Sequence, residues 1–225
     1  MLCSDNTSIL LSVGARSSPL SRAQVAELLK ALQNYHPHVS FEAHYMTTVG
    51  DRNQEISLRF LGRTDFFTKD IDTWVLEGRG RIGIHSAKDL PIPLAKGLSL
   101  FCLTRAIDSS DSLVLRTHDT LQSLPSGARI ATSSLRREEV IRQLRSDLYF
   151  CDLRGTIEQR LAKLELGEAD GIVVAEAALI RLGLMHLNRL RLSGPTAEGQ
   201  GQLAVVGREE DQEIKALFAC LDVAQ

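Results

Sequence analysis

Among its basic residues this chain is short of lysine: the 26 basic side chains comprise 20 arginines and only six lysines. Arg136, Arg137, Arg142, Arg145, Arg154 and Arg160 follow one another with no lysine among them. Solubility does not demand that choice, because lysine solvates a surface at least as well. A guanidinium instead presents a planar fork that grips a carboxylate or phosphate through two parallel hydrogen bonds, which an ammonium cannot do. The bias therefore points to a ligand with several acidic groups. Excess positive charge is also missing. A formal net charge of −2 argues against a general nucleic-acid binder, which needs a positive surface to release counterions. Glu138, Glu139, Asp147, Asp152 and Glu158 offset the arginines, so the electrostatics is local.

Other absences narrow the class further. The four cysteines, Cys3, Cys102, Cys151 and Cys220, lie far apart with no CxxC spacing, so no metal site is expected. The opening MLCSDNTSILLSVGA has no basic leader, and its apolar run is too short for a secretory core or a membrane span. A cytoplasmic protein with reduced thiols is the expectation. There is no G-x-S-x-G, no HExxH, no phosphate-loop signature and no low-complexity segment. The GQGQ beginning at Gly199 is too short and misplaced for a dinucleotide fingerprint.

What is present reads as alternating strands and helices. Ser8 to Val13 suits a buried strand. Ser17 or Ser18 can cap a helix with Pro19 in its first turn and a stripe of Val25, Leu28, Leu29 and Leu32. Val39 to Tyr45 alternates at strand period. Residues 50–65 form a long polar loop, and Phe67, Ile71, Trp74 and Val75 mark a helix stopping at Gly78. RIGIHS and LSLFCLT are strands, with Pro91 and Pro93 between them forbidding continuation. From Arg105 the pattern restarts. SLVL, ARIAT, LYFCD and GIVVA are strands, interleaved with helices beginning near Ser134, Thr156 and Ala175. Thr156 and Gln159 have the spacing of a capping box. A closing helix carries Ile214, Leu217, Phe218 and Leu221. Two such runs predict an α/β protein of two doubly wound domains with mostly parallel sheets.

In these sheets ligands bind where strands end and helices begin. Three loops qualify: Arg16, Ser17 and Ser18; then Thr132, Ser133, Ser134, Arg136 and Arg137; then Arg154, Gly155 and Thr156. Each combines free N–H groups, a positive helix end and a guanidinium. Gly155 lets main chain approach a ligand closely. Arg142 and Arg145 read instead as surface ion pairs, and Arg189 and Arg191 as surface residues near a domain crossing. HSAKDLP, residues 85–91, delivers Lys88 and Asp89 from a strand end against two prolines. Either the pair neutralises itself, or Asp89 is a carboxylate that moves protons or holds a developing cation. His85 reads as a structural imidazole.

Arg16-x-Ser18-Pro19-Leu20, Gly50-Asp51, His85-Ser86-x-Lys88-Asp89-x-Pro91, Thr132-Ser133-Ser134-Leu135-Arg136-Arg137, Leu153-Arg154-Gly155 with Arg160-Leu161, Arg181-Leu182-Gly183 and Gly199-Gln200-Gly201 occur together in order. On these residues the chain resembles the porphobilinogen deaminase (hydroxymethylbilane synthase) family over nearly its whole length. The resemblance implies periplasmic-binding-protein-like domains. Domain 1 would be residues 1–104 plus 199–225, and domain 2 residues 105–198. It implies a transferase of tetrapyrrole and heme biosynthesis that joins four porphobilinogens head to tail, with loss of ammonia, onto a covalently held dipyrromethane. The acetate and propionate groups of the growing polypyrrole would explain the arginines.

By motif, Asp89 is the implied catalytic carboxylate. Arg16, Ser18, Lys88, Thr132, Ser134, Arg136, Arg137, Arg154, Gly155, Arg160 and Arg181 are implied to bind cofactor or substrate, and the 50–65 loop to be a lid. A monomer with no nucleic-acid or membrane partner is expected.

Three departures stand out. The family's third domain, whose loop carries the cofactor cysteine, is not found before Gln225, and none of the four cysteines has a matching context. Arg63-Thr64-Asp65 replaces a glycine-lysine-glycine, and Val49 replaces an arginine. The favoured reading is a short working deaminase. A relative that binds without turnover and a two-domain small-anion binder remain as alternatives.

Overall fold

The computed structural model describes residues 8–59 and 64–223, so the expectations for Cys3 and Arg63 lie outside the described residues. Along the chain come β1 (Ile9–Arg16), α1 (Pro19–Gln33), β2 (Val39–Met46), α2 (Val49–Arg52), α3 (Lys69–Leu76), β3 (Ile82–Ser86) and β4 (Leu98–Leu103). Then follow β5 (Asp111–Leu115), β6 (Arg129–Ala131), α4 (Leu135–Leu144), β7 (Tyr149–Cys151), α5 (Ile157–Glu165), β8 (Gly171–Ala175), α6 (Glu176–Arg181) and β9 (Arg189–Leu192). β10 (Leu203–Arg208) and α7 (Gln212–Phe218) close the chain. The chain divides into one unit of Met1–Val49, Thr64–Arg105 and Gln202–Gln225, and a second of Gly50–Arg63 and Ala106–Gly201.

The first unit is a five-stranded sheet in the order β2-β1-β3-β10-β4. β1 runs parallel to β2 and β3, while β10 runs antiparallel to both β3 and β4, so four strands share one direction. Ser18 is the cap of α1: its Oγ accepts from the Ser21 N–H at 3.3 Å, with Pro19 the first helical residue. Val25, Leu28 and Leu32 then face Leu11, Val13 and Ala15 of β1, together with Ile214 and Phe218 of α7. α3 covers the opposite face, where Trp74 and Val75 pack on Ala204 and Val206. Helices on both faces make this half doubly wound, as expected.

β10 has no counterpart in the sequence reading, which passes from GQGQ straight to the closing helix. Its LAVV run is apolar at every position because the strand is buried on both faces: Leu203 and Val205 join one core, Ala204 and Val206 the other.

The second unit repeats the plan in the order β7-β6-β8-β5-β9. β6 is parallel to β7 and β8, and β5 is antiparallel to β8 and β9. Val140 and Ile141 of α4 pack with Leu113, Ile130, Phe150 and Val173. Thr156 and Gln159 form the reciprocal capping box that starts α5. Arg189 and Arg191 lie on the edge strand β9, paired with Val114 and Ser112; Arg191 is exposed, in line with its surface reading, whereas Arg189 is largely covered. Arg189 also reaches the buried carboxylate of Glu176 at 2.9 Å. Residues 50–63 group with this unit, not with the first as the resemblance implied. Arg154 gathers the main-chain carbonyls of Gly50 (2.8 Å), Asn53 (3.3 Å) and Ile56, and Arg59 pairs with Glu138 of α4.

Candidate active site

In the first unit, the parallel strands β1 and β3 end at the same edge, so Arg16–Ser18 and Lys88–Asp89 emerge side by side. Gln24 of α1 ties the two loops together by donating to the Ser86 hydroxyl at 2.8 Å. Arg16 lies over the Phe67 ring, 4.4 Å from its centroid, and the hydroxyls of Ser17 and Thr47 are 3.4 Å apart. Such a cation–π contact orients a guanidinium while leaving its edge able to meet a carboxylate.

Residues Ala87–Asp89 form a single 3-10 turn at the end of β3. It is fixed at both ends: the Ala87 N–H donates to the Gln202 carbonyl (3.1 Å) and the Leu90 N–H to the Ala87 carbonyl (3.2 Å). Pro91 and Pro93 stiffen the chain beyond the turn. Asp89 is half-buried, and among the described residues its carboxylate has no hydrogen bond or ion pair, not even with Lys88. The self-neutralising alternative therefore does not describe this turn. A carboxylate partly removed from water and lacking a protein partner is an acceptor in waiting. Within β3, His85 is buried with Nε2 3.3 Å from Asp72 Oδ1 but without a hydrogen bond among the described residues, an interior imidazole not offered to solvent.

In the second unit, the ends of β6, β7 and β8 likewise share one edge. Thr132 is buried, and its Oγ1 accepts from the Ser134 N–H at 3.3 Å. Ser134 caps α4 by accepting from the Arg137 N–H at 3.5 Å. Gly155 has φ +101, and a Cβ there would lie 2.7 Å from Gln159 Oε1, the atom that accepts the Thr156 N–H in the capping box. Glycine is thus required by the helix start itself. Arg160 Nε donates to the Gly155 carbonyl at 2.9 Å, and Arg181 Nη2 to the Gly201 carbonyl at 2.9 Å.

The arginines divide into kinds that their spacing did not distinguish. Arg142 pairs with Glu138 at 2.6 Å and lies over Phe150, and Arg145 holds Asp147 with both contacts at 2.7 Å, as their surface-pair reading implies. Arg154 is buried under the 50–56 main chain. Arg137 is the most internal of all. Its Nε and Nη2 both donate to Asp111 Oδ1 (2.9 and 2.6 Å), Nη2 also reaches Gln200 Oε1 (3.3 Å), and Nη1 donates to the Val173 carbonyl (3.5 Å). Arg136 shares the same carboxylate, donating from Nη2 to Asp111 Oδ2 at 2.8 Å and from Nη1 to the Pro195 carbonyl.

Asp111 belongs to none of the motifs, and Gln200 enters the sequence analysis only within Gly199-Gln200-Gly201, with no role implied for it. The only signals were a lone acid opening an apolar strand and a glutamine between two glycines. Burial alone would raise the Asp111 carboxyl, but the charges and hydrogen bonds of Arg137 and Arg136 hold it below the usual carboxylate range.

None of the described thiols is activated. Burial pushes Cys102 up to about 12, with smaller contributions from Asp222 and Cys220. Burial also raises half-buried Cys151, and it raises Cys220, which is exposed at the end of α7. A nucleophilic thiolate needs the opposite environment.

Comparison with known proteins agrees with this geometry. The model of the family described as "Porphobilinogen deaminase, dipyromethane cofactor binding domain" matches residues 11–216. The chain is 39% identical over 219 residues to the porphobilinogen deaminase of Streptococcus sanguinis, covering 94% of this chain and 72% of that protein. It is 40% identical over 216 residues to that of Roseiflexus sp., covering 94% and 71%. A protein of Chlamydia pneumoniae named probable porphobilinogen deaminase is 38% identical over 208 residues, which is 92% of this chain and 88% of that one.

Among solved structures, the reduced regulatory domain of OxyR2 from Vibrio vulnificus superposes with a TM-score of 0.54 at 11% identity, covering 98% of this chain and 99% of that one. The periplasmic VFT2 domain of Bordetella pertussis BvgS gives 0.52 at 12% identity, covering 93% and 84%. These likenesses concern the fold alone, and they match the periplasmic-binding-protein-like architecture that the motifs implied. Sequence, strand order and the placement of HSAKDLP at the end of β3 lead to one conclusion: the chain belongs to the porphobilinogen deaminase family.

Proposed function

We propose that the chain is a porphobilinogen deaminase, a transferase that condenses porphobilinogen head to tail into hydroxymethylbilane with release of ammonia. The observation that carries this reading is Asp89, a half-buried carboxylate on a rigid 3-10 turn with no partner among the described residues. A group so placed accepts hydrogen bonds from pyrrole N–H groups. It also lowers the energy of the cation left when the aminomethyl group departs as ammonia, because its negative charge is fixed before that charge develops. Partial burial strengthens the effect by reducing solvent screening.

The same residues suit a dipyrromethane: a carboxylate acceptor for ring N–H groups, with guanidiniums and helix starts for the side-chain acids. When bound, that group supplies the pyrrole end onto which new units are added. Arg16, Ser18 and Lys88 in the first unit, and Thr132, Ser134, Arg136, Arg137, Arg154, Gly155, Arg160 and Arg181 in the second, are the proposed cofactor and substrate contacts. Arg136, Arg160, Arg181 and Arg16 meet acids directly. Arg137 and Arg154 act mainly by shaping their loops. We read the protein as a cytoplasmic monomer with no nucleic-acid partner.

Two readouts test this. Purified protein incubated with porphobilinogen should consume it and release ammonia, and its intact mass should exceed the sequence mass by two pyrrole units if the primer is covalent. Binding without consumption would instead favour a non-catalytic relative.

A further inference from the structure

We infer that Asp111 is a positioning residue for the paired arginines: with Gln200 it fixes Arg137 as an internal cation and aims Arg136 at the ligand. This deepens the function proposed above and rests on it. The carboxylate opens β5 and is buried at 3% exposure. Four donors converge on it: Arg137 Nε and Nη2 and Gln200 Nε2 (2.9 Å) on Oδ1, and Arg136 Nη2 on Oδ2.

Gln200 is itself 2% exposed and orders the site from behind. Its amide also donates to the Ser109 and Ser110 carbonyls at 2.7 and 3.1 Å, so it clamps the entry to β5 while its Oε1 accepts from Arg137. Gly201 beside it has φ +85, and a Cβ there would stand 2.2 Å from the Asp108 carbonyl oxygen. This accounts for the glycine-flanked glutamine that fits no nucleotide motif: the glycine lets the main chain press against residues 108–110, and the glutamine bonds them.

The charges decide how the two arginines differ. Two guanidiniums against one carboxylate leave one net positive charge. Arg137 spends Nε and both terminal nitrogens internally, and its side chain is 7% exposed, against 26% for Arg136. The surplus is therefore expressed at Arg136, whose Nε makes no hydrogen bond among the described residues. Fixing that guanidinium beforehand lowers the ordering cost of binding an acid.

The test is a double-mutant cycle on the full chain. Arg136→Ala and Asp111→Asn should each raise KM for porphobilinogen about tenfold with kcat nearly unchanged. Together they should do no more than Arg136→Ala alone, because residues acting through one another are not additive. Gln200→Met, which keeps the ion pair, should shift KM in the same direction by less and guards against misfolding of the Asp111 variant. Calorimetric titration of porphobilinogen into each variant carrying Asp89→Ala reads affinity without turnover. The same pattern there upholds the positioning role even if the parent protein proves not to turn over, an outcome that would sink the catalytic reading alone. Fully additive effects, or an Asp111→Asn or Gln200→Met variant that loses thermal stability while keeping parental KM and affinity, would overturn the inference. So would parent protein that does not bind porphobilinogen.

Discussion

At the scale of single residues, charge placement matters more than charge number. Asp111 shows this through its pH dependence. Its folded pKa is held below that of the unfolded chain by two guanidiniums, so its contribution is present above about pH 4 and is lost as pH falls through the folded value. Chemical denaturation followed across that range should show stability declining in acid, with a shallower decline in Asp111→Asn. At neutral pH that variant should lose about 3–5 kcal/mol, the usual result of stranding a buried cation. Arg142→Ala, which removes the exposed partner of a buried Glu138 that Arg59 also holds, should cost about 1 kcal/mol. The sequence made the arginine excess visible but not its division. Arg136 and Arg137 are adjacent and chemically identical, and only the arrival of Asp111 and Gln200 from distant segments separates the more exposed guanidinium from the internal one.

At the scale of elements, local signals were legible wherever they were self-contained. The serine cap and proline of α1, its apolar stripe and the capping box of α5 involve residues within a few positions of one another. Thr156→Ala should therefore cost about 1 kcal/mol by thermal or urea unfolding, the worth of one helix cap. Leu28→Ala should cost about 2–5 kcal/mol, because Leu28 is wholly buried between α1 and the sheet. β9 and β10 were not legible, for different reasons. RLRL exposes charge on a sheet edge and reads as surface, whereas LAVV is apolar throughout and lacks the alternation that marks a strand. Both depend on partners in the sheet that periodicity cannot name. The short α2 at Val49–Arg52 was likewise absorbed into an expected loop.

For the whole molecule, the fold class followed from the repeated β-α alternation, while strand order did not. In each unit one strand runs against the other four, and in the first that strand comes from the far end of the chain. This brings Gln202 next to Ala87, so the C-terminal segment helps set the turn that carries Asp89. Family membership explains why an α/β protein of net charge −2 concentrates guanidiniums at strand ends: polypyrroles carry acids at every ring. The proposal that turnover depends most directly on Asp89 is tested by the steady-state rate of porphobilinogen consumption by Asp89→Ala beside the parent protein, with thermal unfolding run in parallel. We expect the rate to fall by about 10²–10⁴, the range for a positioned acid–base or charge-stabilising group, at an unchanged melting temperature. A variant that consumes substrate within about twofold of the parent, well short of any such contribution, would contradict the catalytic role of Asp89.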